Sequence, residues 1–124
     1  MRGRKGSSKL RTRKLAYLAS PYTPLDGENV EARVTSACQY AAKLMQDGYA
    51  VFAPIPHSHY IADHLPDELR FSHEFWMEQD IAVLDHCDVL VVLMLAGWKD
   101  SKGVRREIAR ALELNIPVEY HEYP

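Results

Sequence analysis

Cysteine is scarce. The chain of 124 residues holds two, Cys38 and Cys87, with no C-x-x-C spacing and both in stretches patterned as helix. That excludes a disulfide scaffold and a cysteine zinc site, and points to reduced packing thiols in a cytoplasmic protein. Long apolar runs are lacking too: the longest, Val89 to Gly97, falls far short of the ~20 residues that span a bilayer. No membrane segment is expected. There is no G-x-G-x-x-G and no Walker sequence, so neither a dinucleotide nor a nucleoside triphosphate site is indicated. Repeats and low-complexity stretches are absent as well.

Acids are missing from one place. Residues 1–14 carry seven of the fifteen Lys and Arg and no Asp or Glu, leaving eight bases against seventeen acids in the remainder. The stretch 1–13 therefore reads as a disordered basic tail without the apolar core of a secretory leader. Such an arm can touch nucleic acid or an acidic partner, or be a plain solvated terminus. The acidic body argues against nucleic acid as the main ligand. The whole chain is 47% apolar and 26% charged, the composition of a soluble protein, and the rest, 14–124, has the size of one domain.

Hydrophobic patterning supplies the elements. Leu15–Ala19 is a short apolar run closed by Ser-Pro-Tyr-Thr-Pro, and predicts a buried strand followed by a loop to Gly27. Apolar residues from Val30 to Met45 recur at helical spacing and predict a helix over 28–47 that Gly48 ends. A second strand is predicted over 49–53, and the histidine-rich stretch 54–70 reads as loop with at most a short helix. A helical segment over 71–87 leads to the clearest strand, 88–94, apolar enough to be covered on both faces. A helix opening near Ser101 and a last strand at 118–120 complete the series. This alternation predicts a compact Rossmann-like (flavodoxin-like) parallel sheet with helices on both faces and right-handed crossovers. Ligands of such folds bind beyond the carboxyl ends of the strands. The loops expected there are 20–27, 54–60 and 95–103, which nominates Ser20 and Tyr22 as ligand contacts.

Two carboxylates break the pattern. On the helical wheel of 101–114, Val104, Ile108, Ala111, Leu112 and Leu114 define an apolar arc, and Glu107 falls inside it while the other charges fall outside. In the helix over 71–87, Glu74, Glu78 and Asp85 share a solvent face, but Asp80 lies within the apolar arc beside His73. A buried acid is either paired for structural reasons or used. Two inward acids on helices flanking the central strand are the equipment of glycosidic-bond chemistry. Between them, Gly97 to Gly103 leads into a helix N-terminus, where backbone amides and the Ser101 hydroxyl can hold an anion; Ser101 as a simple N-cap and Gly97 and Gly103 as turn residues is the plainer alternative.

These residues resemble the nucleoside 2-deoxyribosyltransferase superfamily, which includes 2'-deoxynucleoside 5'-phosphate N-hydrolases and small bacterial and phage domains. The resemblance runs over roughly residues 14–118, through YLASPY, GYAVFAPI, DIAVLDHCDVLVVL and SKGVRREIARALELNIPV. Asp80 and Asp88 keep one family spacing; Ser101, Gly103, Val104 and Glu107 keep another. The resemblance implies Glu107 as the nucleophile at the anomeric carbon, Asp80 assisting departure of the base, Tyr17 holding the nucleophile, and Ser101 binding a 5'-phosphate. Asp88 and Gly103 join the implied substrate contacts. It also implies a nucleoside or nucleotide substrate, no cofactor, and a homo-oligomer. The chain departs from the family in Arg105 and Arg106 ahead of the Glu and in the added Gly97-Trp98-Lys99.

His57 and His59 should reach the same crevice. Without a third ligand at recognisable spacing, base contact or loop packing is the reading rather than a metal. Trp98 can stack on a base or cover an edge. Arg33 is expected on the surface, with a phosphate contact as the alternative. Against the enzyme stands a non-catalytic nucleotide sensor of the same fold, in which Arg105 and Arg106 pair with Glu107 and hold it inert.

Overall fold

The computed structural model describes residues 11–25 and 27–123. Of the expected basic tail, residues 1–10 lie outside the described residues. Arg11 and Arg13 are described, and both hold onto the body, through Asp88 and through the Met45 and Tyr49 carbonyls.

Four parallel strands, β1 (Leu15–Ala19), β2 (Ala50–Phe52), β3 (Val89–Leu93) and β4 (Val118–His121), form one sheet in the order β2-β1-β3-β4. Its helices are α1 (Val30–Gln46), α2 (Pro54–His59), α3 (Asp67–Arg70), α4 (His73–Leu84) and α5 (Lys102–Glu113), with single 3₁₀ turns at Ile61–His64 and Trp98–Asp100. The α/β, Rossmann-type architecture is the one the patterning predicts. Period-two alternation on the two central strands sorts the core. Ala16, Leu18, Val89, Val91 and Leu93 pack with Tyr40, Ala41 and Leu44 of α1 on one face. Tyr17, Ala19, Leu90 and Val92 pack with Leu84, Val104 and Ala111 of α4 and α5 on the other. Every residue of β3 is buried, as a parallel strand covered on both faces must be.

Side-chain caps set the helix ends, and they move several boundaries from where periodicity alone puts them. Asn29 accepts from the Ala32 amide at 2.8 Å, so α1 starts at Val30 while Glu28 stays in the preceding turn. Ser72 accepts from the Phe75 amide at 3.1 Å, so α4 starts at His73 and Phe71 is left outside, 75% exposed. Gly48, at φ +107, turns the chain out of α1 in a conformation that costs a glycine little.

The stretch 54–70 is more helical than its composition suggests, holding α2, a 3₁₀ turn and α3. Pro54 explains the start of α2: at the first helical position its fixed φ suits the helix and its missing N–H would have had no partner. Among the described residues no helix is long and apolar enough to cross a membrane.

Candidate active site

A cavity of about 740 Å³ opens at the carboxyl end of the sheet, within the range of small-molecule sites. The loop after β1, the α2 helix, the start of α4 and the loop from Ala96 into α5 form its walls. The position is that expected for ligand binding in this architecture.

Glu107 lies on its floor, 4% exposed, where the helical wheel puts it. The Tyr17 hydroxyl, from the middle of β1, donates a short hydrogen bond to Glu107 Oε2. Burial pushes the Glu107 carboxyl up to about 8; the Tyr17 bond pulls the other way, and the nearby Asp80 adds to the rise. Tyr17 itself is held far above the ordinary phenol range by burial and by the two acids. Asp80, from α4, is 7% exposed and lines the same cavity; burial alone raises it to about 6. Its Oδ1 has no hydrogen-bond partner in the described chain, nor has the buried Ser20 Oγ at the end of β1. Two acids and a hydroxyl thus converge on one space, and among the described residues no cation is paired with either acid.

Arg105 and Arg106 do not supply that cation. Arg105 is exposed, and Arg106 reaches outward to Glu74 at 2.9 Å. The pairing that would make Glu107 an inert, salt-bridged carboxylate is absent.

Ser20, Tyr22, His59, Ser101 and Gly103 join Glu107 and Asp80 around the cavity. Ser101 is also the N-cap of α5, its Oγ accepting from the Val104 amide at 3.2 Å, so both roles considered for it coexist. Gly103 is not forced by its protein neighbours, since an added Cβ would meet only Met77 Cε at 3.7 Å and Ser101 Oγ at 4.0 Å. Gly97 is forced. It has φ +84, and a Cβ there would approach Leu25 Cδ2 to 3.2 Å.

Three of the nominated substrate contacts are not brought to the cavity. Asp88 lies at the opposite end of the sheet, where its carboxylate accepts from the Leu15 amide at 2.7 Å and from Arg11 Nη1 at 2.7 Å. It joins two strands at their amino ends, and the arginine holds its carboxyl below the usual range. His57 turns against the Phe52 ring, centroids 5.0 Å apart, and meets Ser58 Oγ at 3.1 Å. Trp98 packs on Tyr120, centroids 5.5 Å apart, and against the core of the α4–α5 face. It covers an edge instead of offering a stacking platform.

Arg33 is a further correction: it is buried, not on the surface. Its Nε and Nη2 donate to Glu28 Oε1 at 3.0 and 2.8 Å, and Nη2 also donates to the Ala96 carbonyl at 2.8 Å. Glu28 Oε1 in turn accepts from the Leu25 amide at 2.9 Å. One guanidinium therefore ties the loop after β1 to the loop after β3, two walls of the cavity. The sequence signal was weak, an arginine at a helix position flanked by Val34 and Ala37 of the buried face.

Sequence reasoning also missed Arg70, Phe71 and Trp76 in the cavity wall. Trp76 had a usable signal, since it stands one helical turn before Asp80 on the same face. Among the described residues no three His, Cys, Asp or Glu side chains converge as metal ligands would.

Comparison with known proteins gives three findings. No protein of curated function matches the chain in sequence. A solved structure of a 2-deoxyribosyltransferase from the psychrotolerant bacterium Bacillus psychrosaccharolyticus, described as a biocatalyst for nucleoside synthesis, is similar in fold. It has a TM-score of 0.59 and 23% sequence identity, over 87% of this chain and 72% of that one. The third finding is a family model, described as a domain of unknown function, DUF1937, that matches residues 14–123. With nearly the whole chain inside that match, the protein is a member of the DUF1937 family.

Proposed function

We propose that the protein is an N-glycosidic enzyme acting on a nucleoside or its 5'-monophosphate, with residues 14–124 as its single catalytic domain. The observation that carries this reading is the pair Glu107 and Asp80: two buried acids lining one cavity, both raised by burial and neither salt-bridged to a described residue. Unpaired acids with perturbed titration in a cleft are the mark of acid–base and nucleophilic work. The fold likeness to a 2-deoxyribosyltransferase supports the same class of substrate.

In the proposed reaction the Glu107 carboxylate attacks the anomeric carbon as the bond from that carbon to the base nitrogen breaks. The bond's electron pair stays on the base nitrogen, which takes the proton of Asp80. A glycosyl ester on Glu107 results. Water or a second base then attacks the anomeric carbon, Asp80 receives the proton released, and Glu107 departs as carboxylate. Tyr17 fixes one carboxylate oxygen and leaves the other for attack. Ser20, Tyr22, His59, Ser101 and Gly103 are the substrate contacts, with Ser101 and the α5 N-terminus facing a 5'-phosphate where one is present.

The reaction needs one proton on the pair: Glu107 ionised and Asp80 protonated. Burial raises both acids, so each holds its proton above the usual carboxylate range. The pair titrates as a unit, and its singly protonated form spans the interval between about 6 and about 8. A binding-only role for the cavity loses its main support, because Arg106 pairs with Glu74 and Arg105 is exposed, so neither pairs with Glu107.

The test is release of free base from a panel of ribo- and deoxyribonucleosides and their 5'-monophosphates, with and without an acceptor base, read by chromatography. Cleavage of at least one substrate by the parent and none by Glu107→Gln is the expected result. No release under any condition overturns the reading and makes Glu107 a structural acid.

A further inference from the structure

Tyr22 and His59, so far only substrate contacts, form with Glu31 a hydrogen-bonded chain at the cavity. His59 Nε2 lies 2.8 Å from Glu31 Oε2, and His59 Nδ1 lies 3.0 Å from the Tyr22 hydroxyl. The three come from the loop after β1, the first turn of α1 and the end of α2. Tyr22 and His59 line the cavity; Glu31 stands behind them with its side chain 65% exposed.

Hydrogen-bond inventory fixes the direction of this chain. A carboxylate only accepts, so the proton of a neutral His59 must sit on Nε2, facing Glu31. Nδ1 is then a lone pair, and the hydrogen between it and Tyr22 is the phenol's own. With that proton committed to His59, the Tyr22 oxygen has only lone pairs to offer the cavity. It is an acceptor there, although an unconstrained tyrosine could donate or accept.

The position matters as much as the polarity. Glu107 and the departing base take opposite faces of the anomeric carbon, so the base lies off Glu107 in the same cavity, whose wall includes Tyr22, 40% exposed, and Phe71, 75% exposed. A sugar hydroxyl can both donate and accept and would be indifferent to the direction. A base edge is not: an amino group donates and an oxo group accepts. Resting on the N-glycosidic reading, we propose that the Tyr22–His59–Glu31 chain makes the cavity selective for bases that present an amino group, with the Tyr22 oxygen accepting from it. A base with an oxo group in the same place would set two acceptors against each other, and discrimination of this kind is stronger than that of an apolar pocket.

The protein carries its own control. Tyr40, His121 and Glu119 repeat the arrangement, with Tyr40 Oη 2.6 Å from His121 Nδ1 and Glu119 Oε1 2.9 Å from His121 Nε2. None of the three lines the cavity. The chemistry is the same, and the access to ligand differs.

The experiment is calorimetric titration of the whole protein with two pairs of free bases, cytosine with uracil and adenine with hypoxanthine. It is run at about pH 8. The parent is expected to bind the amino member of each pair about fivefold to tenfold more tightly. Tyr22→Phe and His59→Ala should each bring the ratio to about one: the first removes the acceptor, the second frees the phenol proton. Tyr40→Phe should leave it unchanged. Thermal melts identify a variant that fails to fold, and the parent's ratio together with the other variant still decides.

Equal binding by the parent, a preference for the oxo member, or a ratio that survives Tyr22→Phe overturns the inference; so does an equal loss of preference in Tyr40→Phe. If the parent releases base from nucleosides and Glu107→Gln does not, such results sink only this inference. If no base is bound and none released, the N-glycosidic reading falls with it.

Discussion

The two ends of the sheet treat their acids in opposite ways. At the amino ends of the strands, Asp88 holds Arg11, and Asp85, just ahead of β3, takes a two-pronged contact from Arg110 at 2.8 and 2.9 Å. Both carboxyls are drawn below the usual range, chiefly by those hydrogen bonds. At the carboxyl ends, Asp80 and Glu107 are buried with no cation, and both are pushed up. Glu28 shows that the end of the sheet is not itself the cause. It stands in the loop after β1, whose earlier residues line the cavity, yet the Leu25 amide and Arg33 bind it and its carboxyl is lowered. Burial and partners together make the difference: an acid given a cation is drawn down, and a buried acid with none beside it among the described residues is pushed up at a cost in stability.

The largest expected consequence is on turnover. Glu107→Gln keeps the volume and can still accept from Tyr17, so the fold should stay intact while base release falls by at least about a thousandfold. Loss of less than about tenfold would break the contrast between the two ends. Next comes stability against pH. Because Glu107 is raised from 4.5 to about 8, the folded state binds the proton more tightly than the unfolded chain, and its ionisation is a burden that grows as pH rises between those values. The melting temperature of Glu107→Gln should therefore exceed that of the parent by about 5 °C or more at pH 9, with the gap closing to about 1 °C near pH 4. A constant gap across that range would mean that Glu107 is not titrating.

The pH profile of kcat/KM sharpens the same point. It should be bell-shaped with limbs near about 6 and about 8, the interval in which the acid pair holds a single proton. A flat profile from pH 5 to 9 would remove the pair from the mechanism. The smallest effect belongs to the other end of the sheet. Asp88→Asn should lower the melting temperature at neutral pH by about 3 °C while leaving turnover within about twofold. Because Asp88 is depressed below 3.8, its stabilising effect is present above that value and lost as pH falls through the folded one. Parent and variant should converge in acid.

Much of this was legible beforehand, and the particular residues show why. β3 announces itself as an apolar run that only a doubly covered strand can use, and α5 by an apolar arc in which Glu107 is out of place. A helical wheel reports which side of a helix a residue takes, and that was enough to find Asp80 and Glu107. It does not report which end of the sheet a residue reaches. Asp80 and Asp88 share a motif spacing, yet one lines the cavity and the other closes the far end. Arg33 was misread because its acceptors, Glu28 and the Ala96 carbonyl, are set by the approach of two loops, which periodicity cannot express. The helices of 54–70 were underestimated because elements of four to six residues are too short to show a period.

The hydrogen bond from Tyr17 to Glu107 spans 90 positions of the chain. Tyr17 belongs to β1 and Glu107 to α5, so the bond forms only once the strands and helices between them have come together. Contacts of such separation are the slow part of folding. Catalytic competence should thus arrive late and all at once during refolding, with no active intermediate. Recovery of activity would then report completion of the whole sheet, where a helix signal would report only its parts.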